Sequence, residues 1–214
     1  MKNKIKAIIF DVNGVLELGA PLVKIKGKLQ RLGVHEYIVK KLKISIDQYF
    51  DAIDTNYALS IEGKISEKKL LNIISKNLKT TNKKLIKLYK KSYKRNFKQN
   101  KQLFKQAFNL KKLGYKIAIL SDQWHISYNC LMKNNKIYRI FSPSIISCFV
   151  GMRKPNPKIY KLTLKRLKLK PEECLFIDNQ KWNTDVAKKL RINTIQFKSN
   201  EQLFENKIWK ELFR

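Results

Sequence analysis

The stretch Ala7-Ile8-Ile9-Phe10-Asp11-Val12-Asn13-Gly14-Val15-Leu16 decides how this chain is read. Four apolar residues with isoleucine at their centre fit a buried strand. The run stops at a carboxylate, with glycine three residues on. An α/β sheet presents a nucleophile or a metal ligand at its carboxyl edge in this way. Asp, Asn and Gly are also turn residues, so the stretch taken alone equally fits a plain turn.

Three later segments bear on the choice. Ile117-Ala118-Ile119-Leu120 runs into Ser121-Asp122, Gly151-Met152-Arg153-Lys154-Pro155 opens a helix, and Cys174-Leu175-Phe176-Ile177 runs into Asp178-Asn179. Apolar runs at 145–150 and 193–197 predict two further strands. Helical spacing separates the strands: Leu103, Phe104, Ala107, Phe108, Leu110 and Leu113 share one face, and the segments 156–168, 183–191 and 201–213 follow suit. Alternating strand and helix predicts an α/β fold with a doubly wound, mainly parallel sheet.

Residues 17–96 break the alternation and read as helices. Ser45-Ile46-Asp47-Gln48 has the form of a capping box. Ser66 can cap a helix carrying Leu70, Leu71, Ile73 and Ile74. Residues 82–96 set Leu85, Leu88, Tyr89 and Tyr93 against a lysine-rich opposite side. The expected division is a core domain of 1–16 and 97–214 and a helical insertion of 17–96.

Composition narrows the class. A chain of 214 residues can form one sizeable domain with a smaller insertion. Its 43% hydrophobic content argues against disorder. No uninterrupted apolar run exceeds about five residues, far short of the ~20 of a membrane span, and no signal-peptide apolar core follows the basic start. A soluble, cytoplasmic protein is expected. Three cysteines, with no C-x-x-C pair and only two histidines, predict free thiols rather than a zinc site.

The formal charge of +31 is uneven: residues 68–171 hold 28 basic side chains against one acid, Asp122, a net of +27. One reading is a surface for nucleic acid or another polyanion. The other, which we favour, is compositional drift. Lysine supplies 40 of the 47 basic residues, and arginine, the better residue for bidentate phosphate recognition, is scarce.

Nucleophile, hydroxyl, lysine and second carboxylate at successive loop positions resemble the four motifs of the haloacid dehalogenase (HAD) superfamily. The resemblance covers nearly the whole chain. It implies a HAD-like, Rossmannoid core with an α-helical cap inserted between the first and second motifs. The family's Asp-x-Asp-Gly-[ThrVal] appears here as Asp11-Val12-Asn13-Gly14-Val15. The run Arg153-Lys154-Pro155-Asn156-Pro157-Lys158-Ile159-Tyr160 resembles the Lys-Pro-x-Pro-x-x-Tyr segment of capped members. Phe176-Ile177-Asp178-Asn179, with Asn183 five residues after Asp178, resembles Phe-Ile-Asp-Asp-x-x-x-Asn.

By that resemblance Asp11 attacks phosphorus and forms an aspartyl-phosphate. Ser121, and less securely Asp122, hold the phosphate. Lys154 offsets the charges of nucleophile and phosphate. A magnesium ion (Mg2+) is held by Asp11, the backbone carbonyl of Asn13 and Asp178, with Asn179 acting through water. The implied function is magnesium-dependent hydrolysis of a small phosphorylated metabolite.

Asn13 departs from the family, whose second Asp is the general acid and base. An amide exchanges no proton at neutral pH, so an otherwise intact site is expected to be slow by ~10²–10⁴-fold. The alternatives are a catalytically weakened HAD-fold protein that binds phosphorylated or polyanionic partners, or an enzyme cleaving a C–P or C–halogen bond. Dehalogenases work without metal and typically lack the fourth-motif Asp, whereas Asp178 is present. His125, four residues after Ser121, could replace the missing acid or could simply start a helix. Trp124 beside it is placed to line the pocket. His35 lies in the insertion and has no evident partner in the sequence.

Overall fold

The computed structural model describes residues 5–19, 23–25, 28–30 and 33–214, the segments 23–25 and 28–30 by backbone only. β1 (Ala7–Phe10) is followed by three short strands, β2 (Glu17–Gly19), β3 (Val23–Ile25) and β4 (Lys28–Gln30). Four helices come next: α1 (Val34–Leu42), α2 (Ile46–Ile61), α3 (Glu67–Asn77) and α4 (Asn82–Asn96). The chain returns through β5 (Phe97–Gln99), α5 (Lys101–Lys112), β6 (Lys116–Ser121), α6 (His125–Leu131), β7 (Ser144–Ile146) and α7 (Ser147–Val150). It ends with α8 (Pro157–Leu167), β8 (Cys174–Asp178), α9 (Lys181–Lys189), β9 (Asn193–Gln196), α10 (Asn200–Glu205) and α11 (Lys207–Glu211).

Five strands form one parallel sheet in the order β7-β6-β1-β8-β9. β1 is central because its four residues are buried on both faces. Successive side chains point to opposite faces. Ile8 and Phe10 therefore pack with Ile117, Ile119, Leu175 and Ile177, beneath α5 and the inserted helices. Ala7 and Ile9 pack with Ala118, Leu120 and Phe176 against Ile159, Tyr160 and Leu164 of α8. The chain passes from β1 to β6 and β7 on one side, then crosses through α8 to β8 and β9 on the other. Between such oppositely directed connections the loops part and leave a crevice at the carboxyl edge. Asp11 lies at that edge, its N–H donating to Ile177 O at 2.9 Å.

The inserted helices begin where their caps predict. Ser45 and Gln48 form a reciprocal capping box at α2, and Ser66 and Thr81 cap α3 and α4. The apolar faces of these helices join the core cluster beneath them. The lysines of α4 are all exposed. An antiparallel pairing of β2 with β5, and another of β3 with β4, was not evident in the sequence.

Three expectations differ: the insertion, read as helices from residue 17, carries β2, β3 and β4 before its first helix. The strand expected at 145–150 ends at Ile146, and 147–150 is helical. The Ser147 hydroxyl accepts from Gln123 N at 3.0 Å and donates to Gln123 O at 3.1 Å, which turns the chain out of the sheet. Gly151, at φ 69°, closes the short helix. The helix expected at 201–213 is two helices, because Asn206 stops the first and its side chain caps the second. Among the described residues no helix is long and apolar enough to cross a membrane.

Candidate active site

Asp11 is held by a tight loop. Val15 N and Glu17 N both donate to Val12 O, and Gly14 N donates to Glu17 O at 2.7 Å. Gly14 has φ +85°, and a Cβ there would lie 2.5 Å from the Asn179 amide nitrogen. Only glycine allows the loops after β1 and β8 to close on one another in this way.

Lys154 unites three loops. Its ammonium lies 3.0 Å from Asp11 Oδ1 and 2.6 Å from Asp178 Oδ2, all three side chains being buried. Its backbone N–H donates to Asp122 Oδ1 at 3.0 Å, so the Asp122 carboxyl ties the loop after β6 to the loop before α8. Burial alone would lower the pKa of Lys154, but Asp11, Asp178 and Asp122 together hold it above the usual lysine value. Burial pushes the Asp11 carboxyl up to about 6, with Lys154 pulling it down and Asp178 adding to the rise. Asp11 is therefore a carboxylate at neutral pH. Burial also raises Asp122, against the pull of Lys154.

Asp178 is fixed from both ends. Gln180 N donates to its Oδ1 at 2.7 Å, and the Asn183 amide donates to both oxygens at 3.2 and 3.0 Å. The Tyr160 hydroxyl steadies Asn183 through its carbonyl at 3.0 Å. Ser121 is fully buried at the end of β6, its Oγ accepting from the Gln123 amide at 3.1 Å.

A cavity of about 300 Å³ lies between the sheet edge and the inserted helices. Asn13 and Asp122 line it from the edge, His35, Tyr57 and Tyr93 from the helices, and Trp124 from the start of α6. Trp124 Nε1 donates to the Tyr93 hydroxyl at 2.9 Å, and the Tyr57 ring meets the Trp124 ring edge-on at 5.0 Å. Asp11, Lys154 and Asp178 thus form a buried ion group behind Asn13, while Asn13 and Asp122 reach the open space.

Residues 5–190 match the model of the haloacid dehalogenase-like hydrolase family. The chain belongs to that family. Glyceraldehyde 3-phosphate phosphatase of Pyrococcus furiosus is 35% identical over 96 residues, 42% of this chain and 38% of that protein. (S)-2-haloacid dehalogenase 4A of Burkholderia cepacia is 30% identical over 87 residues, 41% of this chain and again 38% of the relative. Less than half of either relative is therefore matched. A HAD family enzyme of Bacteroides thetaiotaomicron, crystallised as a magnesium complex, superposes with a TM-score of 0.75 over 99% of both chains at 24% identity. At that identity the likeness is one of fold.

This HAD-like hydrolase has oxygen donors suited to a hard cation. Among the described residues no three His, Cys, Asp or Glu side chains gather as a metal cluster, so two carboxylates and amide oxygens are what the edge offers. Six buried side-chain acceptors lack a hydrogen-bond partner among the described residues, and four of them, on Asn13, Gln123, Asn179 and Asn183, cluster at this edge. Buried acceptors seldom stay unpaired, so this cluster fits a site that takes a cation and its waters. A carboxylate has about four acceptor positions. Those of Asp178 are filled by Gln180, Asn183 and Lys154, so a cation binds Asp178 only as one of these donors yields.

Glu17 and His35 escaped the sequence reading, while His125 starts a helix, one of its two expected roles. Glu17 is buried beside the Asp11 loop and accepts from the Tyr138 hydroxyl at 2.7 Å. It lies in β2, a strand too short to show a pattern. His35, which has no evident partner in the sequence, has one here: its Nδ1 is 3.0 Å from the Tyr49 hydroxyl. His125 starts α6, and its Nδ1 lies 2.8 Å from Ser60 Oγ of α2. His125 is not among the residues that line the cavity.

Proposed function

We propose that this hydrolase cleaves a small phosphomonoester, with Asp11 as nucleophile and residues 17–96 serving as a cap over the site. The observation that carries this reading is the buried contact of Lys154 with both Asp11 and Asp178. An ammonium there shields the nucleophilic carboxylate from the charge of an incoming phosphate. Asp11 Oδ would attack phosphorus, forming an aspartyl-phosphate that water then hydrolyses. Ser121 and the backbone around Asp122 would hold phosphate oxygens.

Asp11, Asp178, the backbone of Asn13 and, through water, Asn179 would hold magnesium, which when bound neutralises charge between carboxylate and phosphate. The Bacteroides thetaiotaomicron enzyme was also crystallised with magnesium and inorganic phosphate, which supports this choice of ligand. Retention of Asp178, with its amide neighbours, favours phosphate over halide chemistry.

A second reading rests on Asn13. With no acid at that position, the fold could bind a phosphorylated partner and turn it over very slowly. One experiment separates the two: hydrolysis of p-nitrophenyl phosphate and a panel of sugar phosphates, nucleotides and phosphorylated acids, with magnesium and with chelator. Chelator-sensitive turnover is expected. Uniform inactivity with saturable phosphate binding would favour the second reading.

A further inference from the structure

Asn13 puts an amide where the family has its general acid and base, and the cavity holds another candidate. We propose that His35 of α1 is the catalytic acid and base of this hydrolase, delivered from the inserted helices. The inference rests on the phosphatase reading above.

His35 and Asn13 line the same cavity of about 300 Å³, small enough that one phosphomonoester spans it. The imidazole is fixed rather than free. Nδ1 is 3.0 Å from the Tyr49 hydroxyl, which is 2.7 Å from the buried Tyr89 hydroxyl. The ring packs at 5.2 Å on Tyr49 and 5.3 Å on Phe50. Nε2 has no protein partner among the described residues. If Tyr89 donates to Tyr49 and Tyr49 to Nδ1, the proton sits on Nε2. If the hydroxyls turn the other way, Nε2 is an acceptor. Only the second arrangement, with Nδ1 donating to Tyr49, serves both the imidazolium and the neutral base, because a protonated Nδ1 cannot accept from a hydroxyl. His35 and Tyr57 also line a second cavity of about 210 Å³ with Asp54.

The other titratable groups around the main cavity are less suited. Burial raises Tyr57 and Tyr93 above the usual phenol value, so both stay protonated at neutral pH. Asp122 is engaged with the Lys154 backbone. Burial lowers the pKa of His35, with Glu36 opposing, which supplies the neutral ring needed as a base. A bound phosphate dianion raises it again.

The proton balance closes. As Asp11 Oδ bonds to phosphorus, the P–O bond to the leaving group breaks, and that oxygen takes the proton from Nε2 of the imidazolium. In the second step the neutral ring takes a proton from water. The water oxygen bonds to phosphorus, the Asp11–phosphorus bond breaks, and imidazolium and carboxylate are restored.

The test compares leaving groups. Phenoxide needs a proton to depart, whereas 2,4-dinitrophenoxide does not. In His35→Gln, kcat/KM for phenyl phosphate should fall by ~10²-fold or more, and kcat/KM for 2,4-dinitrophenyl phosphate far less. With the latter substrate the phosphorylated enzyme should accumulate, visible as one added phosphoryl group in the intact mass. Tyr49→Phe, which keeps the imidazole but removes its anchor, should show the same selectivity on a smaller scale, and it carries the test should His35→Gln fail to fold. An equal loss on both substrates with no phosphorylated enzyme, or no loss at all, overturns the proposal. So does the selective pattern appearing in Asp122→Asn instead. A wild-type protein inert to both esters with magnesium would instead sink the phosphatase reading itself.

Discussion

The carboxyl edge of the sheet and the inserted helices handle buried polar groups in opposite ways. At the edge, charge is set against charge, with Lys154 between Asp11 and Asp178. Among the helices the buried chain is neutral: His35, Tyr49 and Tyr89 share hydrogen bonds, and Trp124 donates to Tyr93. The single cation of this group is indispensable, since its loss leaves buried carboxylates uncompensated. A chain of hydroxyls loses only one or two hydrogen bonds per member removed. Substitutions at the edge should therefore disturb buried charge as well as the reaction, and substitutions among the helices should act on the reaction at less cost in stability.

The largest expected effect comes from Lys154→Met. It leaves two buried carboxylates facing each other, which costs about 3–5 kcal/mol, and hydrolysis of aryl phosphate should become undetectable. Asp11→Asn should also end turnover, yet melt near the wild-type temperature at pH 7. Burial already disfavours the Asp11 charge, and an amide of the same shape carries none. Equal thermal losses in the two variants, followed by calorimetry, would show that Asp11 contributes as much to the ion group as Lys154 does.

The same contrast explains what could be read from the sequence. The edge was legible because its parts sit at strand ends at set intervals from apolar runs. Asp11, Ser121 and Asp178 stand where apolar runs end and Lys154 opens a helix, and the resemblance of these segments to the HAD motifs supplied their roles; the five strands follow from runs such as Ile117–Leu120. The inserted helices were legible as helices, through caps at Ser45 and Ser66 and the apolar face of α4. Their site-facing residues were not. His35 and Tyr49 meet only because α1 packs on α2, and no periodicity marks which side chain of an amphipathic helix meets a cavity. The strand end at Ile146 was missed for a similar reason. It depends on Ser147 bonding to Gln123, a contact between distant loops.

Asn13→Asp sharpens the comparison by putting an acid back on the edge. The substitution is nearly isosteric, and the Asn13 amide oxygen has no donor among the described residues to lose. If the protein lacks an efficient acid, turnover of phenyl phosphate should rise by ~10²-fold. If His35 already serves, the gain should be small in the wild-type background and large in His35→Gln. A rise of the same size in both backgrounds would place the edge and the helices on independent footings and remove His35 from the reaction.

Magnesium affinity should depend on pH through the edge alone. The folded Asp11 carboxyl binds its proton up to about pH 6, so below that pH magnesium must displace a proton. The sign is fixed: affinity falls as pH drops through about 6, by up to ~tenfold per unit for one displaced proton, and levels off above it. Calorimetric titration from pH 5 to pH 8 measures this directly. A flat profile would show that Asp11 is not a ligand, or that its carboxyl titrates well below 6.

The smallest effect is expected at His125, where helix and core touch without chemistry. Its ring accepts or donates one hydrogen bond with Ser60, and its backbone N–H donates to the same oxygen at 3.1 Å. His125→Asn keeps the backbone contact and loses the ring contact, about 1 kcal/mol of stability. Burial lowers the pKa of His125, with Glu67 opposing, so below the unfolded value of 6.5 the unfolded chain holds its proton more firmly than the folded one. Wild-type stability should therefore decline as pH drops below 6.5, and His125→Asn should flatten that decline. Its kcat/KM should stay within about twofold of wild type for phenyl and 2,4-dinitrophenyl phosphate alike, as for substitutions away from a site. A selective loss on phenyl phosphate would move the proton carrier from α1 to the start of α6. The division between an edge that carries the nucleophile and helices that carry the proton would then have to be redrawn around the loop after β6.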